Sequence, residues 1–269
     1  MIRGTVCGIA QLGDEIFITS ESSTSIFVFS FQGRENFRRC DDVGFRELAS
    51  PPQDIAASEA FQKLFVADSG GRSVWQLGKS SWGYWRMENR VVSKVEPVSL
   101  SMNAGRLLVV EKRRLNVFGV GASRPKVKST SLPEDMEAVH ALETSCDTFV
   151  VCGKVAGKPG IAEVNKRGLV VRGCDLEGFS QPCYLSPFDT VEADVLVADC
   201  ATQQVVLLNS SLMEVVRVFL DKDHDRIFRP RRVVKSGFVL VGHCKSADDS
   251  HGTVSLYWPR MTILEPLPD

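Results

Sequence analysis

The chain has 269 residues, of which 43% are hydrophobic and 24% are charged, and its formal net charge is −1. This balance excludes the general basic field that attracts nucleic acids or anionic membranes to a whole domain. No apolar run approaches the roughly 18 residues of a membrane span, and residues 1–7 lack the apolar core of a signal peptide. We therefore expect a cytoplasmic protein with no membrane association.

A short apolar run followed by Asp occurs twice in nearly the same form. Residues 64–68 read Leu-Phe-Val-Ala-Asp, and residues 195–199 read Val-Leu-Val-Ala-Asp. Weaker copies, which lack the Ala-Asp pair, lie at 16–19, 107–110, 148–151 and 238–241. The steps between copies are about 40 to 50 residues, which is typical of a repeat architecture.

Each copy has the pattern of a β-strand that is buried on both faces. A lead-in strand precedes it, while a polar turn, an apolar third strand and a more polar fourth strand follow. Six such units predict an all-β fold, a six-bladed β-propeller of four-stranded antiparallel blades. We expect a single propeller domain over residues 1–269, with 262–264 as the outer strand of the last unit. The predicted units span about 4–48, 49–93, 94–134, 135–178, 179–226 and 227–269.

Two of the units carry a family resemblance. Residues 52–77 and 182–208 each combine a proline, a lead-in strand, an apolar anchor, an Ala-Asp pair and a polar turn. This unit resembles the NHL repeat, and the chain looks like the six-bladed propeller at the C-terminus of tripartite-motif (TRIM–NHL) proteins. The glycine usual in the lead-in strand of that repeat is absent from these two units, and the other four units lack the Ala-Asp pair.

Asp68 and Asp199 stand directly after the two best anchors, where the polar turn begins. A carboxylate at this position accepts hydrogen bonds from the backbone N–H groups of the turn. We therefore interpret both residues as turn caps and not as catalytic acids. They are three units apart, so a six-unit ring would place them on opposite sides of its axis.

Candidate metal ligands are few. Residues 221–225 place carboxylates at positions 1, 3 and 5 of a calcium loop, but Arg226 and Arg232 stand where that loop requires Gly and Glu. His140 and His243 could converge on a central channel, where some NHL-like propellers that are lyases or hydrolases hold a metal. The spacing of the histidines and cysteines matches no zinc signature. We expect no cofactor and no catalytic residue, and a metal-dependent propeller lyase or hydrolase stays an open alternative.

Three basic clusters lie at 112–114, 124–128 and 229–235. Turns at matching positions of different blades open on the same face, so these clusters could form one local basic surface. Some tripartite-motif NHL propellers bind RNA across such a face, and contacts with phosphate use Arg and Lys in this way. RNA binding is therefore the alternative function, with the candidate residues Arg113, Arg114, Arg229, Arg231 and Arg232.

An aromatic cluster in the second unit contains Trp82, Tyr84 and Trp85. These residues fall in a turn and at the start of an outer strand, where exposed aromatic side chains make good interface anchors. Packing between blades is the competing interpretation. The favoured function is a non-catalytic scaffold that binds a protein partner through the loops of a propeller face. We expect the domain to be monomeric.

Overall fold

The computed structural model describes residues 2, 4–31, 37–121, 127–145, 148–174, 180–188, 194–209, 214–221, 228–236, 238–244 and 252–257. These residues form twenty-three β-strands. No helix in this part of the chain is long and apolar enough to cross a membrane.

The strands follow one another as antiparallel meanders, four to a sheet in the first five sheets. The first three sheets contain β1 (Val6–Leu12), β2 (Glu15–Ser20), β3 (Ser23–Phe31) and β4 (Phe37–Gly44); β5 (Asp54–Ser58), β6 (Lys63–Asp68), β7 (Ser73–Lys79) and β8 (Trp85–Ser93); and β9 (Ser99–Asn103), β10 (Arg106–Glu111), β11 (Arg114–Gly119) and β12 (Val127–Ser131). The last three contain β13 (Glu137–Ser145), β14 (Thr148–Val155), β15 (Lys158–Asn165) and β16 (Val170–Cys174); β17 (Pro182–Pro187), β18 (Val195–Asp199), β19 (Gln204–Asn209) and β20 (Glu214–Asp221); and β21 (Phe228–Ser236), β22 (Phe238–Cys244) and β23 (Gly252–Tyr257).

The structure has five four-stranded blades and a sixth sheet of three strands, which corrects the prediction of six four-stranded blades. The fourth strand predicted for the last unit, at 262–264, lies outside the described residues. At the outer edge of β23, Gly252 forms an antiparallel bridge with Ile2 and donates its backbone N–H to the carbonyl of Ile2 at 3.1 Å. A residue from the start of the chain therefore lies where a further strand would pair.

The first strand of every sheet is the inner one. These strands contact one another in sequence, β1 with β5, β5 with β9, β9 with β13, β13 with β17 and β17 with β21, and β21 contacts β1. The sheets therefore surround a central channel, as the blades of a propeller do.

The hydrophobic core is divided into clusters that lie between neighbouring blades. On β6, Leu64 and Val66 pack with residues of the first blade, whereas Phe65 and Ala67 pack with residues of the third. Successive side chains of a strand point to opposite faces of its sheet, so a continuous apolar run serves two interfaces at once. This arrangement confirms that the anchor runs are strands buried on both faces.

Candidate interaction surfaces

The loops of the blades lie on two opposite faces of the propeller. We call upper the face that carries the turns between second and third strands and the connections between blades. There Val95 donates its backbone N–H to the carbonyl of Arg72 at 3.2 Å. We call lower the face that carries the other turns of each blade. Gly13 on that face donates its backbone N–H to the carboxylate of Glu59 at 2.7 Å.

Two predicted anchors, Trp82 and Tyr84, lie on the turn between β7 and β8 on the lower face. The exposed fraction is 84% for Trp82 and 71% for Tyr84. Ser80 donates its backbone N–H to the carbonyl of Tyr84 at 2.8 Å, and Gly83 donates its own to the carbonyl of Ser80 at 2.9 Å. The φ of Gly83 is 81°, a left-handed conformation that glycine adopts without the steric cost of a side chain. The turn is therefore held in one shape while it exposes two large aromatic rings.

Trp85, the third predicted anchor, packs between the first two blades. Its ring makes an edge-to-face contact with Phe17, with 5.0 Å between the ring centroids. Its indole N–H donates to the carboxylate of Glu15 at 3.3 Å, and the ammonium of Lys79 lies 5.3 Å from the ring centroid. Trp85 therefore joins two blades, whereas Trp82 and Tyr84 are exposed to solvent.

The predicted basic residues are only partly described. Arg113 and Lys112 lie on the upper-face turn between β10 and β11, and both approach the carboxylate of Glu137, at 3.6 Å and 3.9 Å. Arg114 begins β11 and is exposed. The remaining candidates are on β21, and their side chains lie outside the described residues: Arg229, Arg231 and Arg232. The structure therefore places Arg113 on the face opposite to the exposed aromatic pair.

The aspartates of the two Ala-Asp pairs, Asp68 and Asp199, cap turns as predicted. Asp199 is fully buried and accepts backbone N–H groups from Ala201 and Thr202 in its own turn, at 3.0 and 3.1 Å. It also accepts those of Ser180 and Gln181, which precede β17. Asp68 likewise binds Gly71 in its turn and residues 49 and 50 before β5. Each carboxylate thus ties its turn to the segment that enters the same blade.

A cavity of about 220 Å³ lies in the central channel, between the inner strands of the first five blades. Its wall is mainly apolar, with Ile9, Ile55, Leu100 and Leu142 among the lining residues. Polar groups at the wall include Gln11, Ser101, Ser186 and His140.

Four inner-strand residues occupy the same register position in successive blades, and we call them the inner belt. Each pairs with the second-strand residue just before the turn-cap position, which is the position of Asp68 in the second blade and of Asp199 in the fifth. They are Asp54, Ser99, His140 and Tyr184. Gly8 and Arg232 hold the matching positions of the first and sixth sheets. The sequence analysis did not identify this belt.

Members of the inner belt contact the next blade. Asp54 accepts the backbone N–H of Leu100 at 2.9 Å, across the boundary between the second and third blades. His140 Nδ1 lies 2.8 Å from Ser99 Oγ, and the His140 ring stacks on Tyr184 with 3.8 Å between the ring centroids. The buried polar groups of the belt therefore bind their neighbours around the channel.

His243 lies elsewhere, because it belongs to the second strand of its sheet and not to the inner one. Its Nδ1 lies 2.6 Å from the carbonyl of Cys244, and a carbonyl can only accept, so Nδ1 carries the proton. Its Nε2 is 2.8 Å from the hydroxyl of Ser255. Burial lowers the pKa of His243 below its ordinary value, which favours the neutral ring. The convergence of His140 and His243 that the sequence left open is therefore absent.

Within the described ranges, no group of three or more His, Cys, Asp or Glu residues is placed to hold a metal ion. His224, His251 and the loop at 222–226 lie outside these ranges.

Neither a known family model nor a curated protein sequence matches the chain. Solved β-propellers match almost all of it. The WD40 β-propeller domain of Doa1 has a TM-score of 0.62 at 10% identity and covers 95% of this chain and 83% of its own. Sqt1 of Saccharomyces cerevisiae has a TM-score of 0.59 at 8% identity and covers 96% and 86%. A streptogramin B lyase has a TM-score of 0.62 at 10% identity and covers 96% and 84%. The chain therefore has a β-propeller fold, which these proteins share across different activities.

Proposed function

We propose that the protein is a non-catalytic scaffold that binds a partner protein on its lower face, through the turn between β7 and β8. The observation that carries the proposal is the exposure of Trp82 and Tyr84 on a hydrogen-bonded turn. Trp and Tyr are enriched among the residues that dominate binding energy. A turn that is already ordered loses little conformational entropy when it binds, so its aromatic rings contribute more to affinity.

The contacts of the inner belt also favour a scaffold over a channel enzyme. Asp54 and His140 have the chemistry of catalytic groups, yet Asp54 binds Leu100 and His140 binds Ser99 across blade boundaries. WD40 propellers such as the Doa1 domain are among the structural neighbours, and so is a lyase, so the fold alone does not choose between the two functions. The choice rests on the exposed aromatic pair.

We further propose that the three-stranded sheet completes the ring as a sixth blade of NHL type, within one monomeric domain. Its inner strand, β21, contacts β17 on one side and β1 on the other, which supports this count. The Ala-Asp units around Asp68 and Asp199 support the NHL resemblance.

The test is affinity capture with immobilised wild-type protein and two variants. Trp82→Ala is expected to weaken retention of a specific partner by about 30-fold or more, which corresponds to a binding hot spot of about 2 kcal/mol. Leu169→Ala is the matched control, because Leu169 is also a large exposed apolar side chain, with 60% exposure, in a turn of another blade. Titration of the recovered partner against each variant then gives the affinities. A partner that binds Trp82→Ala and wild-type protein equally would contradict the proposal.

A further inference from the structure

The fourth blade departs from the repeat at its turn-cap position. Gly153 follows Cys152, which pairs with His140 of the inner belt. Asp68 and Asp199 hold the same position in the second and fifth blades. The carboxylates in those two blades accept hydrogen bonds from the incoming segment, whereas a glycine supplies no acceptor from its side chain. The fourth blade therefore lacks the carboxylate of the second and fifth blades, as do the first blade and the sixth sheet, where Ser20 and His243 hold this position.

The backbone around Gly153 leaves no space for a side chain. A Cβ on Gly153 would lie 2.1 Å from the carbonyl oxygen of Glu137, so no larger residue fits without a backbone shift. The register of β13 shifts between Ala138 and His140, which indicates a β-bulge at Val139, and the first and fifth blades have a bulge at the matching position. The side chain of Val139 is 44% exposed as a result, in a strand whose neighbouring residues are buried.

A cavity of about 260 Å³ lies on the upper face beside this bulge. Two ammonium groups and one carboxylate line it together with apolar side chains, and the lining includes Lys112, Lys154, Glu137, Val139, Pro159 and Pro182. Lys112 lies 3.9 Å from Glu137, which is a weak exposed pair. Lys154 makes no ion pair with any described residue. The cavity thus has a net positive charge of one, an apolar side and an ammonium group open to a ligand.

We propose that this cavity binds a carboxylate of a partner polypeptide, with a small apolar side chain of the partner against Val139. The incoming carboxylate would pair with Lys154 and Lys112, since charge-assisted hydrogen bonds are the stronger ones. A polynucleotide fits less well, because the exposed Glu134 and Asp135 precede β13 and repel a chain of phosphates. The cavity is on the face opposite to Trp82, so it would be a second binding site. It rests on the proposed function only in the premise that the protein binds a polypeptide.

The test uses three synthetic peptides at low salt, titrated into the whole protein and followed by the backbone amide NMR signals of Val139 and Lys154. The peptides are amidated Ala-Val-Asp-Val-Ala, its Asn counterpart, and Ala-Val-Ala-Val-Ala with a free C-terminal carboxylate. The Asp peptide is expected to bind about tenfold more tightly than the Asn peptide, which is the ratio expected from one charge-assisted contact. Tight binding of the free-carboxylate peptide supports the same site and assigns the carboxylate to a chain end.

Two lysine variants give a matched pair. Lys154→Met is expected to reduce the affinity for the Asp peptide to that for the Asn peptide, whereas Lys154→Arg retains it. Lys158→Met is the control, because Lys158 is an exposed lysine at the start of β15 that does not line the cavity. Equal affinity for the Asp and Asn peptides, or displacement of both by an oligouridylate, would overturn the proposal. Trp82→Ala should leave peptide binding unchanged, so the failure of one proposal is separable from that of the other.

Discussion

Replacement of Asp199 by alanine should destabilise the fifth blade severely, although the residue has no part in binding. The carboxylate accepts the backbone N–H groups of Ser180, Gln181, Ala201 and Thr202 at distances of 2.8 to 3.1 Å. Asp199→Ala removes the acceptor for all four donors at once. It also disconnects the turn after β18 from the segment that enters β17.

The magnitude follows from the number of donors and their access to water. A hydrogen bond to a charged group contributes about 1.5 to 3 kcal/mol to stability, which gives about 6 to 12 kcal/mol for four bonds before correction. Three of the donor residues are exposed, so water replaces much of the lost bonding in the variant. We therefore expect the free energy of unfolding to fall by about 3 to 5 kcal/mol, which is in the upper range for a single substitution.

Guanidinium denaturation, followed by tryptophan fluorescence and circular dichroism, measures this change. The melting temperature should fall by about 6 to 20 °C, because 1 kcal/mol shifts it by about 2 to 4 °C in a domain near this size. Asp14→Ala is the control, since Asp14 is an exposed aspartate in a turn and should change stability by less than about 0.5 kcal/mol. A loss of less than about 1 kcal/mol for Asp199→Ala, with an unchanged slope, would refute the reasoning.

Three further predictions rest on the same contacts. Asp68→Ala should cost less than Asp199→Ala, about 2 to 3 kcal/mol in denaturation, because Asp68 binds three donors instead of four. Trp85→Ala should lower stability by about 3 kcal/mol through lost packing, whereas Trp82→Ala should stay within about 0.5 kcal/mol, and equal losses would contradict their assigned environments. Burial lowers the pKa of His243 in the folded protein, so below about pH 6.5 the unfolded chain binds more protons and the free energy of unfolding decreases as the pH is lowered. When the pH is lowered from about 7.5 to 5.5, the free energy of unfolding should decrease less steeply in His243→Gln.

The blade pattern was predictable because it depends on local sequence. Apolar runs such as 64–67 must be buried on both faces, and the polar turn that follows fixes the end of the strand. The role of Asp68 follows from the same local argument, since a carboxylate that begins a turn finds backbone donors within three residues. The number of strands in the last unit could not be predicted in this way, because it depends on pairing at the sheet edge between residues as distant in sequence as Ile2 and Gly252.

The two kinds of tryptophan could not be distinguished from sequence. Trp82 and Trp85 are three residues apart in a polar stretch, and neither lies in an apolar period. Their environments differ because Trp85 contacts Phe17 of the neighbouring blade. No local sequence pattern predicts that contact. The partner-binding roles of Trp82 and Tyr84 stay predictions, and so do those of the arginines on β21.

The inner belt was hidden for a different physical reason. Counting back from each anchor finds Asp54 and Ser99 directly, because their strands pair in regular register. In the fourth blade the register shifts between Glu143 and Ser145, next to the turn, so the same count falls one residue away from His140. A β-bulge changes which residue faces the next blade, and its position is set by tertiary contacts.

The departures from the repeat are the places where recognition can be built without loss of the scaffold. An Asp at the turn-cap position strengthens its blade, so a glycine there gives up several hydrogen bonds and adds conformational freedom to the unfolded chain. The fourth blade accepts that cost at Gly153 and exposes Val139 at its bulge, where the fifth blade has the half-buried Cys183. An exposed Val139 beside a cavity that carries Lys154 is better explained by a ligand whose carboxylate pairs with Lys154 than by drift in the repeat.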